Sequence, residues 1–288
     1  MNVAAVLKIL AVLSVDTTIV YLLTQSVEFT IVAVLVMMLY AFAGEYIDLI
    51  RDNAIRAEKC SLADRSKLEN AKEFLTEELQ ESGIDISGIQ FHLIPDNNVN
   101  AYAYGMKNIG VTKACLQSTD FATLNAVLAH EISHTRNLDA VFNRVAFANV
   151  TALLIGLGGI FGITAAALWM IIALPSLFSS GGCAGIMVAR GVSNLLGSIK
   201  NFLQHIMVAV YHAAMGLISR RCEYRADRFA AQIGYGPQLS CFLERLPENT
   251  GRATLRELLY ATHPHPQKRI ARLEQYHRTQ LELQNVCL

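Results

Sequence analysis

Hydrophobic residues are gathered into four stretches of the chain, and polar residues fill the blocks between them. Residues 3–23 and 27–43 form two apolar runs separated only by the polar residues 24–26, and residues 145–174 form a third run. About 20 apolar residues in a helix suffice to cross the hydrocarbon core of a bilayer. We therefore expect three membrane-spanning helices here, the first two paired as a hairpin.

The fourth apolar stretch, within residues 186–218, is weaker because charged residues and histidines interrupt it. Its most apolar part, residues 202–218, is the expected membrane core, and the pattern leaves open whether it crosses fully or lies partly in the interface. The small residues 179–182 form a turn before it. The pattern as a whole predicts four spans in two hairpins.

The polar block after the first hairpin begins with a helical pattern. Residues 53–81 are rich in good helix formers with apolar positions at helical spacing, and Gly83 closes the segment. Short aromatic or β-branched segments follow at 91–94, 101–104 and 109–112, separated by turn residues. We predict a solvated helix followed by a small antiparallel sheet.

A further helix, starting near residues 118–120, follows the sheet. Charged and amide side chains flank it, so we do not expect a membrane span here. Its apolar residues recur at spacings of three and four and form one stripe: Phe121, Leu124, Val127, Leu128 and Ile132.

The composition is that of a membrane protein and argues against some functions. Of the 288 residues, 53% are hydrophobic and 17% charged, which is too apolar for an ordinary soluble domain. The formal net charge is zero, so nothing indicates nucleic acid as a partner. The six cysteines are scattered without close pairs, which favours reduced thiols and a cytosolic location for the polar blocks.

The distribution of basic residues predicts the orientation. Ten Lys and Arg residues lie within residues 44–144 and eleven lie from residue 220 onward, against three elsewhere. Basic segments stay on the cytoplasmic side of a membrane, and an even number of spans returns the chain to that side. The expected domains are a transmembrane hairpin (1–43), a cytosolic block (44–144), a second hairpin (145–219) and a second cytosolic block (220–288).

The sequence His130-Glu131-Ile132-Ser133-His134 carries the strongest chemical signal. Two histidines four residues apart lie on one face of a helix, so both imidazoles can reach a single metal ion. Glu131 then faces the metal's water and can act as its general base. The competing interpretation of the bare motif is a surface helix with two solvated histidines.

A catalytic zinc needs a third protein ligand and an open position for water. Glu223 and Asp227 lie four apart in a charged, helical segment just after the fourth stretch. Glu223 can therefore bind the metal, while Asp227 can accept a hydrogen bond from a ligand histidine. From spacing alone, the two acids equally well balance the surrounding arginines. His205 and His212 are the rival ligands, although their apolar setting favours packed or membrane-facing residues.

Four segments together resemble the HtpX and Ste24 family of integral-membrane zinc metallopeptidases, and within it the bacterial HtpX heat-shock type. The resemblance covers nearly the whole chain. In order, the segments are an Asn-Ala-Phe-Ala-like stretch at 100–103 in which Tyr102 departs from the usual Phe, a zinc helix at 127–134, a Glu-x-x-x-Asp helix at 221–231 and a Thr-His-Pro…Arg-Ile signature at 262–270.

The resemblance implies a mainly α membrane protein, with four transmembrane helices in two hairpins and a cytosolic zincin-like (gluzincin) α+β catalytic domain. It also implies one Zn2+ per chain. The expected ligands are His130, His134 and Glu223, with Glu131 as base and proton shuttle.

Two further roles come from the resemblance and not from spacing. The strand Asn100, Ala101, Tyr102 and Ala103 is expected to pair with the substrate backbone as an added edge strand. His263 is expected to stabilise the oxyanion of the tetrahedral intermediate, with His265 as the rival for that role.

The resulting hypothesis is a zinc endopeptidase of the cell's inner (plasma) membrane. It would cleave misfolded or damaged membrane proteins at the cytoplasmic face, in quality control and stress response. Its expected partners are membrane-protein or polypeptide substrates and the lipid bilayer, and the oligomeric state stays open. The alternatives are a non-catalytic zinc-binding membrane sensor or scaffold, and a prenyl-protein processing enzyme of the Ste24 type, against which four spans argue.

Overall fold

The structure of the protein, a computed structural model, describes residues 2–52, 60–176, 178, 182–245 and 264–286. These residues are mainly helical and include one small sheet. In chain order the elements are α1 (Val3–Thr24), α2 (Val27–Arg51), α3 (Leu62–Glu81), β1 (Gln90–Ile94), β2 (Ala101–Ala103), β3 (Asn108–Thr112), α4 (Lys113–Ser118), α5 (Phe121–Arg136), α6 (Asp139–Ser176), α7 (Gly182–Gln232), α8 (Gly236–Arg245) and α9 (Pro266–Val286).

Four of the described helices, α1, α2, α6 and α7, are long and apolar enough to cross a membrane by length and composition. They contain the four predicted apolar stretches. Three of them also continue into polar sequence, since α2 ends at Arg51, α6 begins at Asp139 and α7 ends at Gln232. Of the predicted turn at residues 179–182, Gly182 begins α7 and the rest lies outside the described residues.

The chain divides into two compact units, one formed by Met1–Val145 with Gly216–Leu288 and the other by Ala146–Met215. The second unit consists of the apolar parts of α6 and α7. Within it, the Gln204 side chain donates a hydrogen bond to the carbonyl oxygen of Leu154 (3.2 Å). A Cβ added to Gly185 would lie 2.5 Å from the Cβ of Ser176. Glycine therefore permits the close approach at this point.

In the first unit, α1 and α2 pack against each other and against the chain at the start of α6. The start of α1 is also fixed to the end of α5, because the backbone N–H of Asn2 donates to the carbonyl oxygen of Arg136 (3.1 Å). The buried side chains of this contact are Ala5, Ile9, Leu13, Met37, Ala41, Leu138, Val141 and Val145.

The polar end of α2 is fixed to the turn between β2 and β3. The buried carboxylate of Glu45 accepts hydrogen bonds from the backbone N–H groups of Met106 (3.2 Å) and Lys107 (3.3 Å) and from the side-chain amide of Asn108. Any Cβ on Gly105 would lie 2.5 Å from a Glu45 carboxylate oxygen. Glycine at this position therefore lets the carboxylate reach the turn.

The three strands form a mixed sheet in the order β1-β3-β2. β2 and β3 are antiparallel, but β1 runs parallel to β3, so the prediction of an antiparallel sheet is wrong for that pair. The connections explain the difference. Only residues 104–107 join β2 to β3, which suits a hairpin, whereas residues 95–107 separate β1 from β3 and leave room for a parallel return. β2 is thus an edge strand.

Helices α3 and α5 pack on this sheet, α8 packs on α5, and α9 packs on α8. The predicted helix at 53–81 is described from Leu62, where Ser61 caps the backbone N–H of Asp64 (3.1 Å), and residues 53–59 lie outside the described residues. It ends before Gly83, which adopts a left-handed φ of 72°, as expected of a terminating glycine. The cysteines in the described part of the chain are free thiols: Cys60, Cys115, Cys183, Cys222 and Cys241.

Candidate metal centre

α5 carries the histidine motif and begins where the pattern predicts. Asp120 is its N-cap, because the carboxylate accepts a hydrogen bond from the backbone N–H of Thr123 (2.7 Å). Of the predicted apolar stripe, Phe121 is exposed and packs edge-on against the ring of Phe74. The remaining members of the stripe are buried: Leu124, Val127, Leu128 and Ile132.

His130, His134 and Glu223 form a group that can hold a metal ion, with one ligand atom from each residue lying within 4.8 Å of the others. The Nε2 atoms of the two histidines are 3.2 Å apart. Glu223 reaches them from α7, with Oε2 at 3.4 Å from His130 Nε2 and Oε1 at 3.7 Å from His134 Nε2. The group is largely withdrawn from solvent.

The spacing of these donor atoms fits one tetrahedral ion. With metal–ligand distances of about 2.0–2.1 Å, two tetrahedral ligand atoms lie roughly 3.3 Å apart. The separation of 3.2 Å between the two Nε2 atoms and that of 3.4 Å between His130 Nε2 and Glu223 Oε2 match this value. The 3.7 Å separation from His134 Nε2 is to the other carboxylate oxygen, Oε1, so a rotation of the Glu223 carboxylate would bring one oxygen to both histidines. Two imidazoles and one carboxylate also leave a fourth position open, as in catalytic zinc sites.

The second ring nitrogen of each histidine, Nδ1, lies within hydrogen-bonding distance of a carboxylate. His130 Nδ1 lies 3.0 Å from Asp227 Oδ1, and His134 Nδ1 lies 2.9 Å from Asp139 Oδ2. A carboxylate that accepts from Nδ1–H fixes the proton on that nitrogen, so Nε2 keeps its lone pair for a metal. The structure therefore brings Asp227 to the place that its spacing from Glu223 predicts.

Asp139 is a site residue that the sequence analysis missed. It lies five residues after His134, a spacing that would place it on another face of a continuous helix. Between them Leu138 adopts a left-handed φ of 56°, which ends α5 and turns the chain back toward the histidine. The only signal for it in the sequence was the position of an acidic residue shortly after the motif, which was interpreted only as one of the charges that flank the helix.

Two arginines hold the outer carboxylates in place. Arg269, the arginine of the C-terminal signature, is buried and donates to both oxygens of Asp227. Its Nη1 also lies 3.0 Å from Glu223 Oε2. Arg225 donates to both oxygens of Asp139 at 2.5 and 2.7 Å. Arg269 falls within the C-terminal signature at 262–270, but its sequence position alone predicted no role for it.

The charges around the histidines favour a cation. Burial and the neighbouring guanidinium of Arg269 lower the pKa of His130, but the carboxylates of Asp227 and Glu223 outweigh both effects and raise it to about 9. Burial raises the pKa of Asp227 and of Asp139, but hydrogen bonds from the histidines and arginines outweigh it, so both pKa values lie below their usual range. Metal binding would displace the proton of His130.

The other predicted site residues have different outcomes. Glu131 is half-buried on α5 beside His130. The metal-binding group contains neither of the rival ligands; His205 Nδ1 lies 2.6 Å from the carbonyl oxygen of Asn201, and the ring of His212 packs against Tyr211. His263 lies outside the described residues. His265 is exposed just before α9.

The predicted substrate strand, Asn100 with β2, runs along the edge of the sheet against α5. The carbonyl oxygen of Asn100 accepts from the N–H of Thr112, and the N–H of Tyr104 donates to the carbonyl oxygen of Asn108. Because hydrogen-bonding residues alternate along an antiparallel pair, the backbone groups of Ala101 and Ala103 point to the open edge. At this edge the N–H of Ala101 donates a hydrogen bond to the side-chain Oδ1 of the preceding residue, Asn100 (2.9 Å).

Comparisons with known proteins agree on one family. The model of peptidase family M48 matches residues 66–277. Protease HtpX of Vibrio cholerae serotype O1 is 29% identical over 93% of this chain and 95% of its own length. A protease HtpX homolog of Fusobacterium nucleatum is 27% identical over 84% of this chain and 82% of its own. The solved structure of S. mikatae Ste24p covers 69% of this chain and 49% of its own at 22% identity and a TM-score of 0.46, a likeness too slight to bear on the fold.

Proposed function

This chain belongs to peptidase family M48 and is HtpX-like, and from that premise we propose that it is a membrane-bound zinc-dependent endopeptidase. Its proposed task is the cleavage of misfolded or damaged membrane proteins at the cytoplasmic face, as part of quality control under stress. The observation that carries the proposal is the convergence of His130, His134 and Glu223 at spacings that fit one tetrahedral ion.

Zinc is the metal that this donor set favours, because two imidazoles and one carboxylate with an open position are typical of catalytic zinc sites. When bound, zinc supplies a Lewis acid that polarises the scissile carbonyl and lowers the pKa of a water molecule. His130 and His134 would hold it through Nε2, since the carboxylates of Asp227 and Asp139 lie against the two Nδ1 atoms.

Glu131 is the proposed general base. Its position directly after His130 on α5 puts the carboxylate at the border between the buried ligands and solvent, where it is half-buried. In this role it takes a proton from the attacking water and passes it to the leaving amine. His263 is proposed to donate a hydrogen bond to the oxyanion of the tetrahedral intermediate, with His265 as the rival.

The edge strand is the proposed binding site for the substrate backbone. The outward N–H and C=O of Ala103 can pair with an extended peptide, and β2 lies against the helix that carries the metal ligands. Main-chain pairing of this kind gives affinity without strong sequence selectivity. That property suits an enzyme acting on many unfolded segments, and the exposed ring of Tyr102 is placed to modulate the choice.

Placement in the inner membrane rests on the four long apolar helices and on the basic residues. The start of α1 and the end of α2 both contact parts of the first unit that carry polar sequence, so the link between them lies at the far end of the pair. This arrangement supports a hairpin with both ends on one side. Lys and Arg are concentrated in the two polar blocks, residues 44–144 and 220–288. Because basic segments stay on the cytoplasmic side, this bias supports the cytoplasm as the side that holds both blocks.

The proposal is tested with a matched pair of substrates. Purified protein in detergent is incubated with a small membrane protein whose helix packing is destabilised by substitution, and with its stable parent. We expect fragments of the destabilised substrate only, and none when Glu131→Gln replaces the wild type. Equal cleavage of both substrates would contradict selection of misfolded proteins.

A further inference from the structure

A cavity of about 710 Å3 lies between the last turns of α7 and the facing side of α9, outside the metal-binding group. Both walls show helical spacing, so each helix turns one continuous face toward the cavity. The α7 wall includes Arg221, Tyr224, Arg225, Asp227 and Arg228, and the α9 wall includes Arg272 and Tyr276.

The cavity carries an excess of positive charge. Arg225 is paired with Asp139, and Asp227 is paired with Arg269, so those charges are compensated. Three more arginines line the walls, and within the described part of the chain no ion pair to a carboxylate involves them: Arg221, Arg228 and Arg272.

Two of these guanidinium groups are held by aromatic rings across the cavity. Arg272 of α9 lies over the ring of Tyr224 of α7 at 3.7 Å from its centroid. Arg228 of α7 lies 5.8 Å from the ring centroid of Tyr276 of α9. Stacking on the face of a ring leaves the N–H groups at the edge of the guanidinium available to oxygen acceptors. Such a fork matches the oxygens of a phosphate.

The same face of α7 changes from apolar to basic just before the residues that line the cavity. Leu217, 60% exposed, precedes Arg221 by four residues and therefore lies directly above it on the helix. An amphiphilic ligand with an acyl chain on Leu217 and an anionic group at Arg221 would match this order.

We propose that this cavity binds the phosphodiester head group of an anionic phospholipid. The inference rests on the membrane insertion in the proposed function but not on peptidase activity. Arg221 would meet the phosphate first, because it lies next to the apolar segment. Arg228 and Arg272, which lie over tyrosine rings, would bind the remaining oxygens. Basic pockets beside membrane helices on the cytoplasmic side are known to select anionic lipids.

The test measures lipid retention by native mass spectrometry, on protein carrying Glu131→Gln so that self-cleavage and activity play no part. Protein is purified in detergent with equal amounts of phosphatidylglycerol and phosphatidylcholine. The test variant carries Arg221→Gln, Arg228→Gln and Arg272→Gln. The control variant removes three basic charges elsewhere, through Lys72→Gln, Lys268→Gln and Arg278→Gln, of which two are paired with glutamates.

We expect selective retention of phosphatidylglycerol by the parent and the control, and a loss of at least about tenfold in the test variant. Arg221→Gln alone is expected to give a smaller loss, which keeps the test valid if the triple variant does not fold. Equal retention by test and control variants would overturn the proposal. A competition experiment adds millimolar inorganic phosphate or an acidic peptide to the parent. If either one displaces the lipid and also binds to lipid-free protein with similar affinity, the choice of a lipid as the ligand would be overturned.

Discussion

The Nδ1 atom of His134 lies 2.9 Å from Oδ2 of Asp139, although the two residues are separated by the end of one helix and the start of another. The left-handed conformation of Leu138 makes this contact possible. Asp227 holds Nδ1 of His130 in the same way at 3.0 Å. Two carboxylates from different parts of the chain thus orient the imidazole rings, so that the Nε2 atoms of both histidines face Glu223.

Replacing either carboxylate by an amide is expected to weaken zinc binding. Asp139→Asn and Asp227→Asn keep the side-chain shape but remove the negative charge that orients the imidazole and raises its basicity. Changes of this kind cost about 10–100-fold in metal affinity. Zinc dissociation constants, measured by competition with a chromophoric chelator, check this expectation.

The control for these variants is Asp85→Asn, the same chemical change at an exposed turn residue that caps the backbone of Ser87. It is expected to bind zinc like the wild type. If Asp139→Asn and Asp227→Asn also bind zinc like the wild type while folded, the outer carboxylates do not support the ligands.

The N-cap of α5 gives a prediction for pH. A hydrogen bond from the backbone N–H of Thr123 holds the pKa of Asp120 below its ordinary value of 3.8. A carboxylate with a lowered folded-state pKa stabilises the protein above its unfolded-state pKa, and this contribution is lost as the pH falls through the folded-state value. Asp120→Ala is therefore expected to cost about 1 kcal/mol at neutral pH.

Asp120→Asn separates the charge from the cap, because the amide oxygen still accepts the hydrogen bond but does not titrate. Thermal unfolding of the three proteins is compared at neutral pH and at roughly pH 3. The difference between wild type and Asp120→Ala should shrink at the lower pH, while that between Asp120→Asn and Asp120→Ala should not. A wild-type advantage that is independent of pH would contradict this account.

The contact between Glu45 and the β2–β3 turn predicts a link between α2 and the edge strand. Glu45→Ala leaves the N–H groups of Met106 and Lys107 without their acceptor, which should cost about 1–3 kcal/mol. The exposed Glu69, whose carboxylate is paired with Lys72, provides the control variant Glu69→Ala. Hydrogen exchange of residues 101–112 should accelerate in Glu45→Ala only. Unchanged exchange there would show that the sheet holds its turn without α2.

The sequence predicted the parts of the site that follow helical periodicity. His130 and His134, and likewise Glu223 and Asp227, share a helix face because they are four residues apart, and this geometry is local. Asp139 and Arg269 could not be assigned in this way. The first depends on the backbone turn at Leu138, and the second reaches Asp227 from a helix 42 residues further along the chain.

The distinction between local pattern and long-range contact also explains which parts of the fold could be predicted. Strand positions follow from local alternation of residue types, and the segments at 91–94, 101–104 and 109–112 lie where the structure has strands. The parallel pairing of β1 with β3 depends on which strand occupies the middle of the sheet, and local pattern does not contain that information. The contact of Glu45 at the polar end of α2 could not be predicted either, because its hydrogen-bond partners lie in the distant β2–β3 turn.

The most direct test of the central claim measures zinc content and casein cleavage for detergent-purified wild type beside Glu131→Gln. We expect stoichiometric zinc in both proteins, with casein cleavage and self-processing reduced about 10²–10⁴-fold in the variant. Zinc in both with cleavage by neither would contradict the enzyme and favour a zinc-binding sensor or scaffold. Folded protein without zinc would contradict the metal centre itself.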